Sequence, residues 1–163
     1  ADTDPQGIDD YRRLSGALYS DRETFRARLR GAAEAADDIP GATEGRVLTG
    51  YCFGGQAVLE AARAGIEMDG FATFHAGLGV PEGQDYEAAT APILLNHGSA
   101  DPVSGMADLA GEIEAIREAG VAHDALIHGG ARHSFTVFGS DDYDLEADQA
   151  SWAAFTDFLE SRL

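Results

Sequence analysis

The stretch Gly50-Tyr51-Cys52-Phe53-Gly54-Gly55 decides how this chain is interpreted. It follows an apolar run at residues 47–49 and precedes residues 56–62, whose composition is typical of a helix. A strand, a glycine-flanked turn and a helix in this order predict a nucleophile elbow, with cysteine where serine is more common. The glycines are expected because a side chain at Gly50 or Gly54 would crowd the turn.

The predicted turn would leave the sulfur of Cys52 at a helix N-terminus. The partial positive charge there favours a thiolate, and the backbone N–H groups can hold an oxyanion. A second interpretation is a buried structural cysteine in an ordinary strand–turn–helix unit, since a small free cysteine often belongs to the core. The hexapeptide alone leaves both interpretations open.

The charge of the chain is strongly acidic. Its 29 acidic residues stand against 11 basic ones, all of them arginine, which gives a net charge of −18. Such a charge repels nucleic acid and anionic lipid, so neither is an expected partner. No apolar run approaches the roughly 20 residues of a membrane span. The acidity is typical of proteins kept soluble at high salt, whereas the use of arginine over lysine could equally follow from a GC-rich genome.

Cys52 is the single cysteine, which rules out an internal disulfide and favours a cytoplasmic location. The five histidines do not stand at zinc-ligand spacings from this cysteine, so neither a metal site nor a cofactor is predicted. A length of 163 residues is enough for one domain with its own core. The sequence also allows a homo-oligomer.

Strand patterns alternate with helical patterns along most of the chain. Four apolar segments are predicted as strands, at residues 46–51, 70–75, 92–97 and 122–128. A loop is predicted over residues 77–91, and a closing helix is predicted from the spacing of Trp152, Phe155 and Leu159. The alternation predicts an α/β fold with a doubly wound parallel sheet.

Three side chains suited to nucleophilic catalysis follow predicted strands: Cys52, Asp101 and His133. Sites in parallel sheets lie at the carboxyl ends of the strands, so we expect these residues to converge. His133 would take the thiol proton and later protonate the leaving group, while Asp101 would fix the histidine tautomer. Taken singly, Asp101 could be a turn residue and His133 a loop histidine, but the joint pattern predicts a triad.

The other histidines have simpler interpretations. His75 and His97 end predicted strands, and we expect each to bond to the backbone. His123 and His128 are interpreted as strand or surface residues without a role in the site.

Three motifs together resemble the dienelactone hydrolase family. They are Gly50-Tyr51-Cys52-Phe53-Gly54-Gly55, His97-Gly98-Ser99-Ala100-Asp101-Pro102 and Gly130-Ala131-Arg132-His133-Ser134-Phe135-Thr136. The tail containing Tyr143, Asp144, Ala147 and Trp152 is similar to the closing helix of that family, so the resemblance extends over residues 8–163.

The resemblance implies an α/β-hydrolase fold that acts on small esters or lactones. It implies a thioacyl-enzyme mechanism through Cys52, Asp101 and His133, with the backbone N–H of Phe53 as one oxyanion donor. Enzymes of this family that act on dienelactone itself carry an arginine four residues after the histidine, where this chain has Val137. We therefore expect a small-molecule ester or lactone substrate other than dienelactone.

The family's early strands and a His-Glu-containing loop have no counterpart in residues 1–45. That loop supplies the second oxyanion donor in the family. Residues 1–163 are therefore interpreted as the C-terminal part of one α/β-hydrolase domain, with four strands and flanking helices and with its N-terminal strands missing. In this fold the strand at residues 47–51 lies inside the sheet, so we expect either that upstream residues supply its second neighbour or that this edge pairs with another chain.

Two other functions stay open on the sequence alone. A thioesterase or other acyl transferase would use the same triad. A ligand-binding or thiol-sensing protein with weakened catalysis is favoured by the unmatched oxyanion loop, because losing one such donor costs roughly 10²–10³ in rate.

Overall fold

The computed structural model describes residues 7–42 and 45–163. The chain forms two compact units, Ala1–Ala42 and Thr43–Leu163. Within the described ranges, no helix combines the length and the apolar character needed to cross a bilayer.

The first unit contains two consecutive helices. Helix α1 (Ile8–Ser20) and helix α2 (Arg22–Ala35) are followed by a 3₁₀ turn at Ala36–Asp38. Asp21 caps α2, since its carboxylate accepts a hydrogen bond of 3.0 Å from the N–H of Thr24. The rings of Tyr19 and Phe25 meet edge to face across this joint, with centroids 6.5 Å apart.

The second unit is built on a four-stranded parallel sheet. Its strands are β1 (Val47–Tyr51), β2 (Gly70–Phe74), β3 (Ile93–Gly98) and β4 (His123–His128), and they lie side by side in that order. Its helices are α3 (Phe53–Arg63), α4 (Met106–Glu118) and α5 (Leu145–Glu160). The predicted fold class, a parallel α/β sheet with flanking helices, is confirmed.

The core of this unit lies against its two central strands. Every residue of β2 and β3 is buried. Helix α5 covers them with Phe155 and Phe158, which pack with Ala72, Phe74 and Leu94. The Phe74 and Phe155 rings meet edge to face with centroids 5.5 Å apart. Burial of this apolar area is the main force that holds α5 to the sheet.

Strand β1 pairs with β2 alone among the strands of the described residues. The expectation that upstream residues or another chain supply its second neighbour stays a prediction. Because all four strands are parallel, their carboxyl ends lie along one edge of the sheet. The connections that leave this edge carry the residues of the candidate site.

Candidate active site

Cys52 lies between the last residue of β1 and the first residue of α3. Its backbone angles are φ 50° and ψ −118°, a region that strains a residue other than glycine. The N–H of Cys52 donates to the carbonyl of Phe74 at 3.2 Å, which connects the turn to β2. The structure therefore has the strained strand–turn–helix that the sequence predicts.

Two of the three glycines in this turn are required by close approaches. A Cβ at Gly50 would lie 2.2 Å from the carbonyl oxygen of Gly54, and one at Gly55 would lie 2.7 Å from the Cβ of Ala76. Around Gly54 no atom of the described residues would come within 4 Å of a Cβ. The expectation that a side chain at Gly54 would crowd the turn is wrong, because this position faces open space.

Asp101 and His133 are in direct contact. The Nδ1–H of His133 donates to Oδ2 of Asp101 at 2.9 Å. The Asp101 side chain is buried, and its other oxygen accepts from the N–H groups of Val103 at 2.7 Å and Ser104 at 3.2 Å. These bonds fix the carboxylate. Asp101 is therefore both the turn residue and the partner of His133, the two roles that the sequence offered as alternatives.

The turns that carry Asp101 and His133 are joined where β3 ends. A Cβ at Gly98 would lie 2.3 Å from the carbonyl oxygen of Ala131, so only glycine allows this approach. The N–H of Ala100 donates to the same carbonyl at 3.0 Å. These contacts hold the two turns in register and set the distance between carboxylate and imidazole.

A second histidine contacts the cysteine. His75 follows β2, and its Nδ1 lies 3.3 Å from Sγ of Cys52. Its Nε2 lies 2.8 Å from Oγ1 of Thr136, and its ring meets that of His133 edge to face at 5.4 Å. The prediction that the His75 ring bonds to the backbone is wrong, because the end of β2 brings the ring beside the elbow.

The remaining histidines make their hydrogen bonds elsewhere. The Nε2–H of His97 donates to the carbonyl of Ser104 at 2.9 Å, as predicted, and burial lowers the pKa of His97. The Nδ1–H of His123 donates to the carbonyl of Val121 at 2.9 Å, also close to its own strand.

Backbone strain is concentrated around one sulfur atom. Among the described residues, the non-glycine positions with positive φ are Cys52 at 50°, His75 at 37° and Ser134 at 64°. The Oγ of Ser134 lies 3.6 Å from Sγ of Cys52, so all three positions belong to one site. Such strain persists only where the surrounding fold enforces it, and it clusters at functional sites.

The electrostatics of the site favour a thiolate. Burial alone would raise the pKa of Cys52, but interactions with His133, His75 and Ser134 lower it to about 6. The interaction with Cys52 raises the pKa of His133, and burial opposes this effect. The contact with Asp101 raises the pKa further, to about 9. Between these two values the site holds a thiolate beside an imidazolium.

The sequence profile described as "Dienelactone hydrolase family" matches residues 2–163. The chain belongs to the dienelactone hydrolase family. No curated protein matches the sequence.

Two solved structures show the same fold at similar levels of identity. A dienelactone hydrolase-like promiscuous phosphotriesterase from metagenomic libraries is 29% identical, with a TM-score of 0.81 over 90% of this chain and 65% of that chain. A protein named m3DLH is 29% identical, with a TM-score of 0.84 over 98% of this chain and 73% of that chain. This chain therefore spans about two thirds to three quarters of the length of these two members of the fold.

The three motifs that resemble the dienelactone hydrolase family all end at the carboxyl edge of the sheet. Phe53, whose backbone N–H the resemblance implies as an oxyanion donor, is the first residue of α3. The catalytic roles of Cys52, Asp101 and His133 and the donor role of Phe53 stay predictions.

Sequence reasoning missed three side chains that line the site: His75, Ser134 and Thr136. The signal for His75 was available, because the rule that selected Asp101 and His133 applies equally to the residue after β2. Ser134 and Thr136 carry no signal of their own beyond their closeness to His133 in the sequence.

The sequence also gave no indication of a buried ionic group, which we call the Arg63 cluster: Glu60, Arg63, Gly79, Tyr86 and Glu112. Arg63 lies 2.5 Å from Glu112 and 3.6 Å from Glu60, with all three side chains almost fully buried. The Tyr86 hydroxyl and the Gly79 N–H donate to the Glu112 carboxylate, the latter at 2.9 Å. The cluster connects α3 and α4 to the loop over residues 77–91.

Proposed function

We propose that this chain hydrolyses small carboxylic esters or lactones, with Cys52 as the nucleophile, His133 as the acid–base group and Asp101 as the orienting group. One observation carries the proposal. A cysteine on a strained turn stands beside a histidine whose far nitrogen bonds a buried carboxylate at 2.9 Å. A nucleophile, a base and an orienting group in this order are the signature of nucleophilic catalysis.

The first half of the reaction acylates the cysteine. The Cys52 thiolate attacks the carbonyl carbon, and the electron pair of the C=O bond moves to the oxygen. The N–H of Phe53 donates to this oxyanion at the start of α3. Collapse breaks the bond to the leaving group, which takes a proton from the His133 imidazolium, and a thioester remains on Cys52.

The second half restores the free enzyme. His133 takes a proton from water while the water oxygen attacks the thioester carbonyl, and the sulfur leaves as a thiolate. The product is a carboxylic acid, or a single hydroxy acid when the substrate is a lactone. Asp101 accepts the Nδ1–H bond of His133 throughout and stabilises the imidazolium form.

His75 is proposed as a positioning residue for the thiolate. Its Nδ1 lies 3.3 Å from the sulfur, and Thr136 holds its other nitrogen at 2.8 Å. A histidine fixed in this way stabilises the negative sulfur without transferring the proton of the reaction.

The substrate class follows from the family and from the residues after His133. Val137 occupies the position where dienelactone-binding members carry an arginine, and the nearby Arg132 is paired with Asp142 at 2.7 Å. Esters and lactones without a carboxylate are therefore proposed over dienelactone. Since the metagenomic relative is described as a promiscuous phosphotriesterase, activated phosphotriesters are proposed as secondary substrates.

A thiol-sensing or ligand-binding function is the second candidate. The contact of His75 with Cys52 favours it, because a low thiol pKa makes a cysteine reactive toward oxidants whether or not it turns over esters. A thioesterase or acyl transferase would use the same triad with another acyl group or acceptor. The cytoplasmic location and a homo-oligomer stay predictions.

Hydrolysis of p-nitrophenyl acetate and of a small lactone tests the proposal. We expect turnover that is lost in Cys52→Ala and His133→Ala and retained in His123→Ala, the matched histidine control at the other end of the sheet. Rapid alkylation of Cys52 without turnover would favour the sensing function. Turnover that survives Cys52→Ala would overturn the proposed mechanism.

A further inference from the structure

Three atoms that bind soft metal ions converge at the carboxyl edge of the sheet. They are Sγ of Cys52 and one ring nitrogen each from His75 and His133, and all lie within 4.8 Å of one another. The prediction that the chain has no metal site rested on linear spacing. The fold brings together residues that follow β1, β2 and β4. These residues are far apart in the sequence, so their spacing does not reveal the group.

Both histidines are already held through the nitrogen that faces away from the sulfur. Asp101 accepts the Nδ1–H of His133 at 2.9 Å, and Thr136 lies 2.8 Å from Nε2 of His75. Partners of this kind fix the ring orientation of metal-binding histidines and increase the basicity of the ligand nitrogen. The two histidines thus have the outer contacts of metal ligands, and the three side chains together supply the ligand atoms.

We propose that Cys52, His75 and His133 form a binding site for a thiophilic divalent cation such as Zn²⁺ or Cd²⁺. One thiolate and two imidazoles are a ligand set that zinc accepts, with a fourth position left to water. Ligands on one tetrahedral zinc lie roughly 3.3–3.6 Å apart. The Cys52–His75 contact of 3.3 Å already has this separation. The His133 nitrogen lies within 4.8 Å of both other atoms, so it would have to approach them by at most roughly 1.5 Å.

The bound cation would inhibit the proposed hydrolysis. It would bind the electron pair of the sulfur, which the attack needs, and the electron pair of a His133 nitrogen, which proton transfer needs. The proton that the His133 imidazolium carries in the free site would leave to solvent. Binding itself does not depend on the hydrolase function, because it is measured without substrate. A chain that never hydrolyses esters can still bind the cation.

Cobalt and zinc titrations of the full chain test the proposal. With Co²⁺ alone as the probe, we expect a near-ultraviolet thiolate-to-cobalt charge-transfer band and strong visible bands of a tetrahedral ion. Zinc affinity is then measured by competition with a chromogenic chelator in excess Mg²⁺, which occupies the carboxylates of the acidic surface. The matched control is His123→Ala, which removes a histidine outside the site.

The variants fix the expected result. Cys52→Ala should abolish the charge-transfer band, and His75→Ala should weaken zinc binding at least about tenfold. Thr136→Val keeps all three ligands and should weaken zinc binding by about tenfold, because His75 loses its outer partner. This variant keeps the proposal testable if His75→Ala does not fold. The proposal is overturned if wild-type protein gives no charge-transfer band, or if zinc affinity in Mg²⁺ is the same in wild type and Cys52→Ala.

Discussion

The Cys52 site and the Arg63 cluster are two groups of ionisable side chains in one unit, built in opposite ways. At the Cys52 site the thiol and the His133 ring are partly exposed, the backbone is strained at three positions, and the thiol pKa falls to about 6. Around Arg63 the charged side chains are at most 1% exposed, and the Glu112 carboxylate accepts from a guanidinium, a phenol and a backbone N–H.

This difference separates a reactive site from a structural one. A buried ion pair is costly to disturb, because removing one partner leaves the other charge desolvated. A partly exposed thiol held by strained turns can meet a substrate, and its contacts alter its reactivity more than its stability. Exposure and backbone strain, rather than the number of charges, therefore identify the candidate active site.

The largest expected effect is on catalysis at Cys52. Cys52→Ala should lower ester turnover at least about 10³-fold, because no other described residue supplies a thiolate at this turn. Its urea unfolding midpoint should stay close to that of wild type, since the side chain is partly exposed. Steady-state kinetics and urea titration of the same preparation measure both quantities. If Cys52→Ala lost much of its stability but kept its turnover, Cys52 would be a structural residue and not a reactive one.

The opposite result is expected for the Arg63 cluster. Arg63→Met leaves two carboxylates buried without their cation and should lower the free energy of unfolding by about 3–5 kcal/mol. Urea unfolding measures this, and the turnover per folded molecule should remain. Arg117→Met is the control, because Arg117 pairs with Glu114 on an exposed helix face and should leave the midpoint unchanged. Equal effects of the two substitutions would contradict the structural role.

The pH dependence of alkylation tests the thiolate directly. The thiolate is the reactive form, so the iodoacetamide rate rises with pH through the thiol pKa. A pKa lowered from 9.0 to about 6 moves that midpoint to about pH 6. The chain has a single cysteine, so the label reports Cys52 alone. A midpoint near pH 9 would mean that the surrounding side chains do not stabilise the Cys52 thiolate, and the site would not differ from the Arg63 cluster in this respect.

The smallest expected effect separates the two strand-end histidines. His75→Gln should raise the alkylation midpoint by part of the full shift, because His133 and Ser134 still stabilise the thiolate. His97→Gln should leave the midpoint unchanged, since His97 bonds the Ser104 carbonyl. Parallel pH profiles of the two variants make the measurement. A shift of the same size in both would mean that His75 acts only through packing.

The fold and half of the site were accessible from the sequence for a physical reason. Buried parallel strands such as Ile93–Gly98 are continuous apolar runs, and the elbow requires glycine at fixed positions, so both leave a local pattern. Asp101 and His133 could be selected because the ends of parallel strands share one edge.

The rest depends on contacts that leave no local pattern. Arg63 and Glu112 are separated by 49 positions, and each looks like an ordinary surface residue of an amphipathic helix. His75 and His97 both end buried strands, and only the neighbouring turn decides which one meets the sulfur. The open space at Gly54 is likewise a property of the folded turn and not of its sequence.

The open space at Gly54 has a consequence for how the elbow can change. Gly50 and Gly55 cannot accept a side chain without moving the backbone, whereas Gly54 lies in the first turn of α3 with room beside it among the described residues. An alanine there should favour the helix by up to about 1 kcal/mol. Larger residues would add a new surface two positions from the nucleophile. In a randomised library, position 54 is therefore where substrate preference can diverge while the elbow itself stays intact.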